Sequence, residues 1–354
     1  MMYPRILIDL KKIEENVDVI TSKCSARNIW AAGVTKVFCA DRKITDAMIN
    51  GGVTYLADSR MQNLKKFEEL EIQKYMLRLP MMSEVEDLVR YCDVSLNSEL
   101  ETIKAIDKAA GEQGKVHKII LMADLGDLRE GIFDENELVK TAGKILELKN
   151  IKLKGLGTNL TCYGGVLPTE KNLNKLINLK NRIEKEYDVT IDLVSGGNSS
   201  SLYLIDENRI PEEVNMLRIG EAFVLGRETT YGNRIEETHD DAFILEAQII
   251  ELKEKPSLPI GELGMDAFGN HPTFEDKGIM KRAICAVGRQ DIDPEGLISL
   301  DEKIDIIGAS SDHLILDMSA TGEGYKLGDI VKFKFTYGCL LRAFTSDYVS
   351  KVYI

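Results

Sequence analysis

The chain has 354 residues, of which 29% are charged and 44% hydrophobic. That is the balance of a folded globule with room for one large domain and a smaller one, and it argues against disorder. Lys and Arg number 45 against 58 Asp and Glu, a formal charge of −13, so nucleic acid and acidic membrane surfaces are disfavoured partners.

The opening MMYPRILIDLKK has no apolar run long enough for a signal peptide, and no later run approaches the ~18 apolar residues of a membrane span. Cys24, Cys39, Cys92, Cys162, Cys285 and Cys339 form no CxxC pair, and His117, His239, His271 and His313 lack ligand spacing. The expectation is a cytoplasmic protein with free thiols and no bound metal.

In chain order, residues 6–8 are strand-like, and Asp9 is placed to cap a helix with Ile13, Val17 and Ile20 on its apolar face. An apolar run at 29–37 precedes a helix near 45–50, and a run at 53–57 follows. The run 75–79 leads into a helix at 85–91. The run 94–96 leads into a helix at 100–110, capped by Asn97 or Ser98. The run 119–123 precedes a helix at 135–148, and 151–156 precedes a helix at 170–187. The run 191–194 enters a Gly/Ser loop and a short helix, and 216–219 follows. About eight strand–helix units of this size predict a (β/α)8 barrel of the TIM type. An open doubly wound sheet is the alternative, though the usual glycine fingerprint is missing near the first turn.

Past residue 226 the runs 243–251, 283–287, 314–318 and 331–335 are β-like and separated by Gly, Pro and Asp clusters. Pro256, Pro259 and Pro272 fall in loops or at edges. The expected organisation is a barrel over 1–228 and a smaller, mainly β domain over 229–354.

Four segments at expected C-terminal strand ends bear reactive groups. Lys36 follows an apolar run, and a lysine entering a buried environment becomes a better nucleophile and Schiff-base former; a surface lysine just past a strand is the other reading. The loop Ser195-Gly196-Gly197-Asn198-Ser199-Ser200-Ser201 offers backbone N–H groups and hydroxyls that suit a phosphate, or it is a plain β-to-α turn with a serine cap. Arg218, followed by Gly220, points into a barrel mouth or makes a surface ion pair. Arg129, in the charged stretch 124–131, clamps a carboxylate or decorates a loop. One lysine, one phosphate nest and two arginines together fit a phosphorylated carbonyl cofactor, pyridoxal 5'-phosphate.

These residues also carry a family resemblance that spans nearly the whole chain. Ile8-Asp9-Leu10 with Asn16, Val34-Thr35-Lys36, the stretch from Asp124 to Gly131, Asn198-Ser199, Arg218-Ile219-Gly220, the stretch from Ser311 to Asp317, and Tyr337 resemble motifs of the alanine-racemase-like pyridoxal-phosphate barrel enzymes. The resemblance implies that Lys36 carries the cofactor and serves as one base, and that Arg218 faces the pyridine nitrogen. It places Asn198, Ser199 and Tyr337 around the phosphate, near Gly220, and gives Arg129 the orientation of substrate or cofactor groups. Asp312 would come from the β domain across a head-to-tail homodimer interface. Three positions depart from the family pattern: Ala40 and Asn159 stand where a tyrosine and a ring-stacking histidine are expected, and Met265 stands where the tyrosine base is expected.

The strings 57–60, 159–164, 195–200 and 255–261 are similar to the branch of this family that acts on ornithine. They imply interconversion of L- and D-ornithine by two-base proton transfer at Cα. The alternatives are racemisation of alanine, lysine or serine, a family decarboxylase or aldolase, and a non-catalytic cofactor-homeostasis protein. For the second base the candidates are His313, Asp312, Asp266, Cys339 and Tyr163, of which Asp312 and His313 are preferred. Met265 opens room for a longer side chain, and Asp266 or Glu262 would meet its distal ammonium, unless both are surface loop acids.

Overall fold

Short apolar runs form strands because successive side chains enter opposite buried faces, and the amphipathic runs between them cover the outer face as helices. The computed structural model describes residues 2–269, 271 and 273–354; Pro272, expected in a loop or at an edge, lies outside the described residues. In order, the elements are β1 (Arg5–Ile8), α1 (Leu10–Ser25), β2 (Trp30–Val34), α2 (Arg42–Asn50), β3 (Tyr55–Asp58), α3 (Met61–Leu64), β4 (Gln73–Met76), α4 (Val85–Tyr91) and β5 (Val94–Asn97). There follow α5 (Leu100–Glu112), β6 (His117–Met122), α6 (Glu135–Leu146), β7 (Ile151–Gly157), α7 (Glu170–Tyr187), β8 (Leu193–Asn198), α8 (Leu202–Asp206), β9 (Met216–Ile219) and α9 (Glu221–Leu225).

Strands β2 to β9 pair in sequence order and close into a parallel barrel, with Ala32 of β2 beside Arg218 of β9. This is the predicted (β/α)8 architecture. Its interior is packed by Ala32, Val34, Ala57, Tyr75, Leu96, Ile120, Met122, Leu193 and Met216. Side-chain caps set several helix starts: Asp41 accepts from Lys43 and Ile44 N–H before α2, and Thr169 forms a capping box with Asn172 before α7. The cap expected for α5 differs. Its N-cap is Glu99, with no side-chain bond, because Asn97 is still buried strand and donates to Ser95 O and Oγ.

The first strand-like run does not join the barrel. β1 pairs antiparallel with β10 (Phe243–Pro256) and parallel with β16 (Ser350–Tyr353). The chain divides into one compact unit over Lys11–His239 and another that combines the segment through Leu10 with Asp240–Ile354. That differs from a division at residues 228 and 229 in two ways: the N-terminal segment changes unit, and the barrel unit continues past Glu228. There the buried Glu228 carboxylate accepts the N–H groups of Thr230, Tyr231 and Asn233.

The other unit is the expected β structure. Its further elements are β11 (Ile279–Cys285), β12 (Leu297–Ser299), β13 (Asp305–Ala309), β14 (Leu314–Asp317), β15 (Ile330–Phe335) and α10 (Tyr337–Thr345). Its sheet runs β12-β15-β10-β11-β14-β13, with β1 and β16 attached through β10. Leu245, Ala247, Leu314, Leu316, Val331 and Phe333 are buried at alternating positions, the pattern of a sheet with one packed face.

Candidate active site

Barrel enzymes gather their chemistry at the C-terminal ends of the strands, and the barrel unit does so here. Thr35 follows β2, and its hydroxyl donates to Asp58 at the end of β3 (2.6 Å). Asp58 also accepts from Arg60 N–H (2.8 Å) and from Asn63 Nδ2 (3.1 Å). This buried carboxylate therefore fixes the turn that presents Lys36. After Lys36 the chain doubles back through Cys39 (φ 53°) and Ala40 (φ 54°), two successive non-glycine residues in the left-handed region. Ala40, at the position expected for a tyrosine, is buried in this turn.

Burial pushes the Lys36 ammonium down from the ordinary lysine range. Arg129 and Arg218 add to that push, while Cys162 and Asp58 oppose it. Lys36 is thus within electrostatic reach of both arginines, as expected of a shared site.

Arg218 projects from β9 and is buried. Its Nη1 donates to Ser195 Oγ, and its Nη2 donates to Thr158 O (2.9 Å) and Asn159 Oδ1 (3.2 Å). Among the described residues its hydrogen-bond partners are neutral oxygens. Desolvation lowers its pKa to about 10, with Glu130 opposing, so it remains a cation at neutral pH. Asn159 Oδ1 also accepts from Asn198 Nδ2 (3.0 Å), and that same amide reaches Leu160 O (3.0 Å) and Cys162 Sγ (3.4 Å).

The Gly/Ser loop after β8 is built around Gly197 and Asn198. Gly197 has φ +116°, and a Cβ there would lie 2.8 Å from Ser201 Oγ. Asn198 Oδ1 accepts from Ser200 N–H (2.8 Å). Ser199 Oγ accepts from Gly220 N–H (3.4 Å) and Ala222 N–H (3.3 Å), joining this loop to the start of α9. Three buried polar atoms, Thr158 Oγ1, Asn159 Nδ2 and Ser200 Oγ, have no hydrogen-bond partner among the described residues. A buried orphan of this kind costs about 1–3 kcal/mol, and a polar ligand removes the cost. The donor set fits pyridoxal phosphate: a lysine amine, hydroxyls and glycine backbone for a phosphate, and a donor-only guanidinium for a ring nitrogen.

Arg129 is exposed and already paired. Its Nε and Nη2 both donate to the carboxylate of Glu130. The turn around it depends on Asp124, which accepts from Gly126 and Leu128 N–H, and on Gly131 at φ +122°, where a Cβ would lie 2.5 Å from Asp124 N. Asp127 takes a role the sequence did not reveal. Its buried carboxylate accepts the N–H groups of Thr161, Cys162, Tyr163 and Val166 at 3.0–3.2 Å. Burial opposes its charge, yet these bonds win and hold it below the usual carboxylate range.

The structure thus brings Lys36, Arg129, Asn159, Ser195, Gly197, Asn198, Ser199, Arg218 and Gly220 into one unit, together with Asp58, Asp127, Glu130 and Cys162. The remaining candidates, apart from Tyr163, belong to the β unit. Asp312 Oδ1 and His313 Nδ1 lie 2.7 Å apart between β13 and β14, and His313 holds the Asp312 carboxyl below its ordinary range. Tyr337 begins α10. Met265 and Asp266 lie in an exposed loop, where Asp266 accepts from Phe268 N–H (2.9 Å). Cys339 is buried and its thiol is pushed up to about 12 by desolvation, which fits a core residue. Tyr163 is exposed.

Residues 8–228 match the family model for the alanine racemase N-terminal domain. An ornithine racemase of Acetoanaerobium sticklandii is 51% identical over 99% of both chains. A lysine racemase of Thermotoga maritima is 43% identical over 100% of this chain and 99% of its own. Among solved structures, an alanine racemase from Bartonella henselae with covalently bound pyridoxal phosphate shares the fold, with a TM-score of 0.76, 16% identity and 99% coverage of both chains. With a lysine, a buried arginine and a Gly/Ser loop at the mouth of a closed barrel, and with these relatives along its full length, the chain belongs to the alanine racemase family.

Proposed function

We propose that this amino-acid racemase interconverts L- and D-ornithine, with pyridoxal 5'-phosphate held at the mouth of the barrel. The observation that carries this reading is a half-buried lysine whose ammonium is disfavoured, within electrostatic reach of a buried arginine whose hydrogen bonds go to neutral oxygens. Lys36 would bear the cofactor, Ser199, Ser200 and Gly197 would lie on its phosphate, and Arg218 would meet its ring nitrogen. Bound there, the cofactor supplies an electron sink that acidifies the Cα–H bond of an amino acid.

The chain's own residues manage the proton. Lys36 Nζ, freed when the substrate amine takes its place on the cofactor and biased towards the neutral amine, would take the Cα proton on one face in one direction of the reaction and supply it there in the reverse direction. Arg218 has no acceptor atom, so it would donate a hydrogen bond to the ring nitrogen and would not hold a proton on it. By withholding that proton, Arg218 would favour return of the proton to Cα over transamination. For the opposite face we assign the Asp312–His313 pair, contributed by a second copy in a head-to-tail homodimer. A carboxylate held 2.7 Å from an imidazole is a ready proton relay. Ornithine is favoured because the two relatives above 40% identity are named for amino acids with a second amino group.

No helix among the described residues is long and apolar enough to cross a membrane. The six cysteines are all free thiols, which supports a cytoplasmic setting. Chiral chromatography after incubation with single enantiomers of ornithine, lysine, alanine and serine tests the reading. Racemic ornithine formed fastest supports it, and an ornithine enantiomer left intact beside racemised alanine overturns the substrate.

A further inference from the structure

The carboxylates around the barrel mouth are nearly all committed to the fold. Asp58 holds the Lys36 turn, Asp127 holds the 161–166 loop, Asp124 holds its own turn, and Glu221 pairs with Arg227 (3.3 Å). Glu130 differs. Its hydrogen-bond partner among the described residues is the guanidinium of Arg129, and its side chain is only 14% exposed. It is also the group that most opposes the lowering of Arg218, so its charge is within electrostatic reach of that guanidinium.

We infer that Glu130 is the specificity carboxylate, receiving the distal ammonium of a diamino acid while Arg129 receives its α-carboxylate. This rests on the racemase reading above and adds a residue to it. The two charges exchange partners when substrate binds. The Arg129–Glu130 pair is complete in the free protein, and a ligand carboxylate taking the guanidinium displaces Glu130. A neutral amino acid then leaves a largely buried carboxylate without a cation, which is costly. A diamino acid supplies one ammonium for that one carboxylate, so both charges are paired again. Glu262 and Asp266, the acids singled out from sequence, lie in an exposed loop, and Asp266 already accepts from its own backbone. Selectivity is set by the carboxylate that a neutral substrate would strand, as well as by the new ion pair to a diamino acid.

The test compares ornithine with norvaline, which has the same carbon chain and no distal amine, in wild type and in Glu130→Gln holoenzyme. Wild type is expected to prefer ornithine in kcat/KM. In Glu130→Gln that preference falls about 30-fold or more, as expected for loss of one partner of a desolvated charge pair, with ornithine losing kcat/KM and norvaline gaining it because no carboxylate is left stranded. Titration calorimetry with the same two ligands shows the same loss of preference in binding. If both substrates fall together, Glu130 only positions Arg129 and the inference is wrong; an unchanged preference also overturns it. Should Glu130→Gln not fold, Glu130→Asp and wild type with citrulline decide, since wild type that takes norvaline and citrulline as readily as ornithine contradicts a charge requirement. Wild type inert towards all these amino acids overturns the racemase reading and this inference with it, and that outcome is distinct from the others.

Discussion

Lys36 is withdrawn from bulk water and lies near two guanidinium groups, and both facts favour its neutral amine. The neutral amine is the nucleophile towards a carbonyl. Capture of pyridoxal phosphate by cofactor-free protein is therefore expected to rise with pH and level off clearly below the ordinary lysine value of 10.5. Stopped-flow absorbance from about pH 6 to about pH 11, a range that brackets an unperturbed lysine, reads this directly. A plateau only above 10.5 contradicts the assigned environment, and Lys36→Ala removes the absorbance change. Lys36, Arg218 and the 195–201 loop were legible in the sequence because each follows a short apolar run and the barrel places such positions at its mouth. Asp58, Asp127, Glu130 and Cys162 were not legible as site members. Their roles come from partners far along the chain, such as the 34 to 39 positions between Asp127 and the amides it holds, or from a turn that folds neighbours together.

At the scale of elements, the loop after β6 and the loop after β7 are one structure, joined by Asp127. Replacing Asp127 with Ala strands four backbone N–H groups and is expected to cost about 2–4 kcal/mol in urea unfolding. The pH dependence has a definite sign. The folded-state pKa of Asp127 is depressed, so its contribution is present above the unfolded carboxylate value, about 3.9, and is lost as pH falls through the lower folded value. Asp127→Asn should flatten the acid limb of the stability curve below about pH 4, and an acid limb as steep as wild type contradicts the role. The strand–helix alternation of the barrel was readable for the same reason that single strands were not always assignable. Period and length reveal a strand, whereas its partner is set by tertiary contacts. β1 illustrates this: Arg5–Ile8 looks like a first barrel strand, yet it pairs with β10 and β16.

At the scale of the molecule, Lys36 and the Asp312–His313 pair lie in different compact units, and the proposed homodimer joins them across two copies. Dimers with composite sites complement each other when each copy keeps the half that the other has lost. Mixing inactive Lys36→Ala with inactive Asp312→Ala, with subunit exchange, should restore about a quarter of wild-type activity, since about half the dimers are mixed and each has one intact site of two. Absence of any recovery, with exchange verified by mass, contradicts a shared site.

The most direct measurement is exchange of the ornithine Cα proton in D₂O, followed by NMR together with optical rotation, with Lys36→Ala as the control. Deuterium is expected at Cα of ornithine at a rate matching the loss of rotation, with neither change in the control. Ornithine that keeps both its Cα proton and its rotation, in protein that binds pyridoxal phosphate, would contradict this expectation.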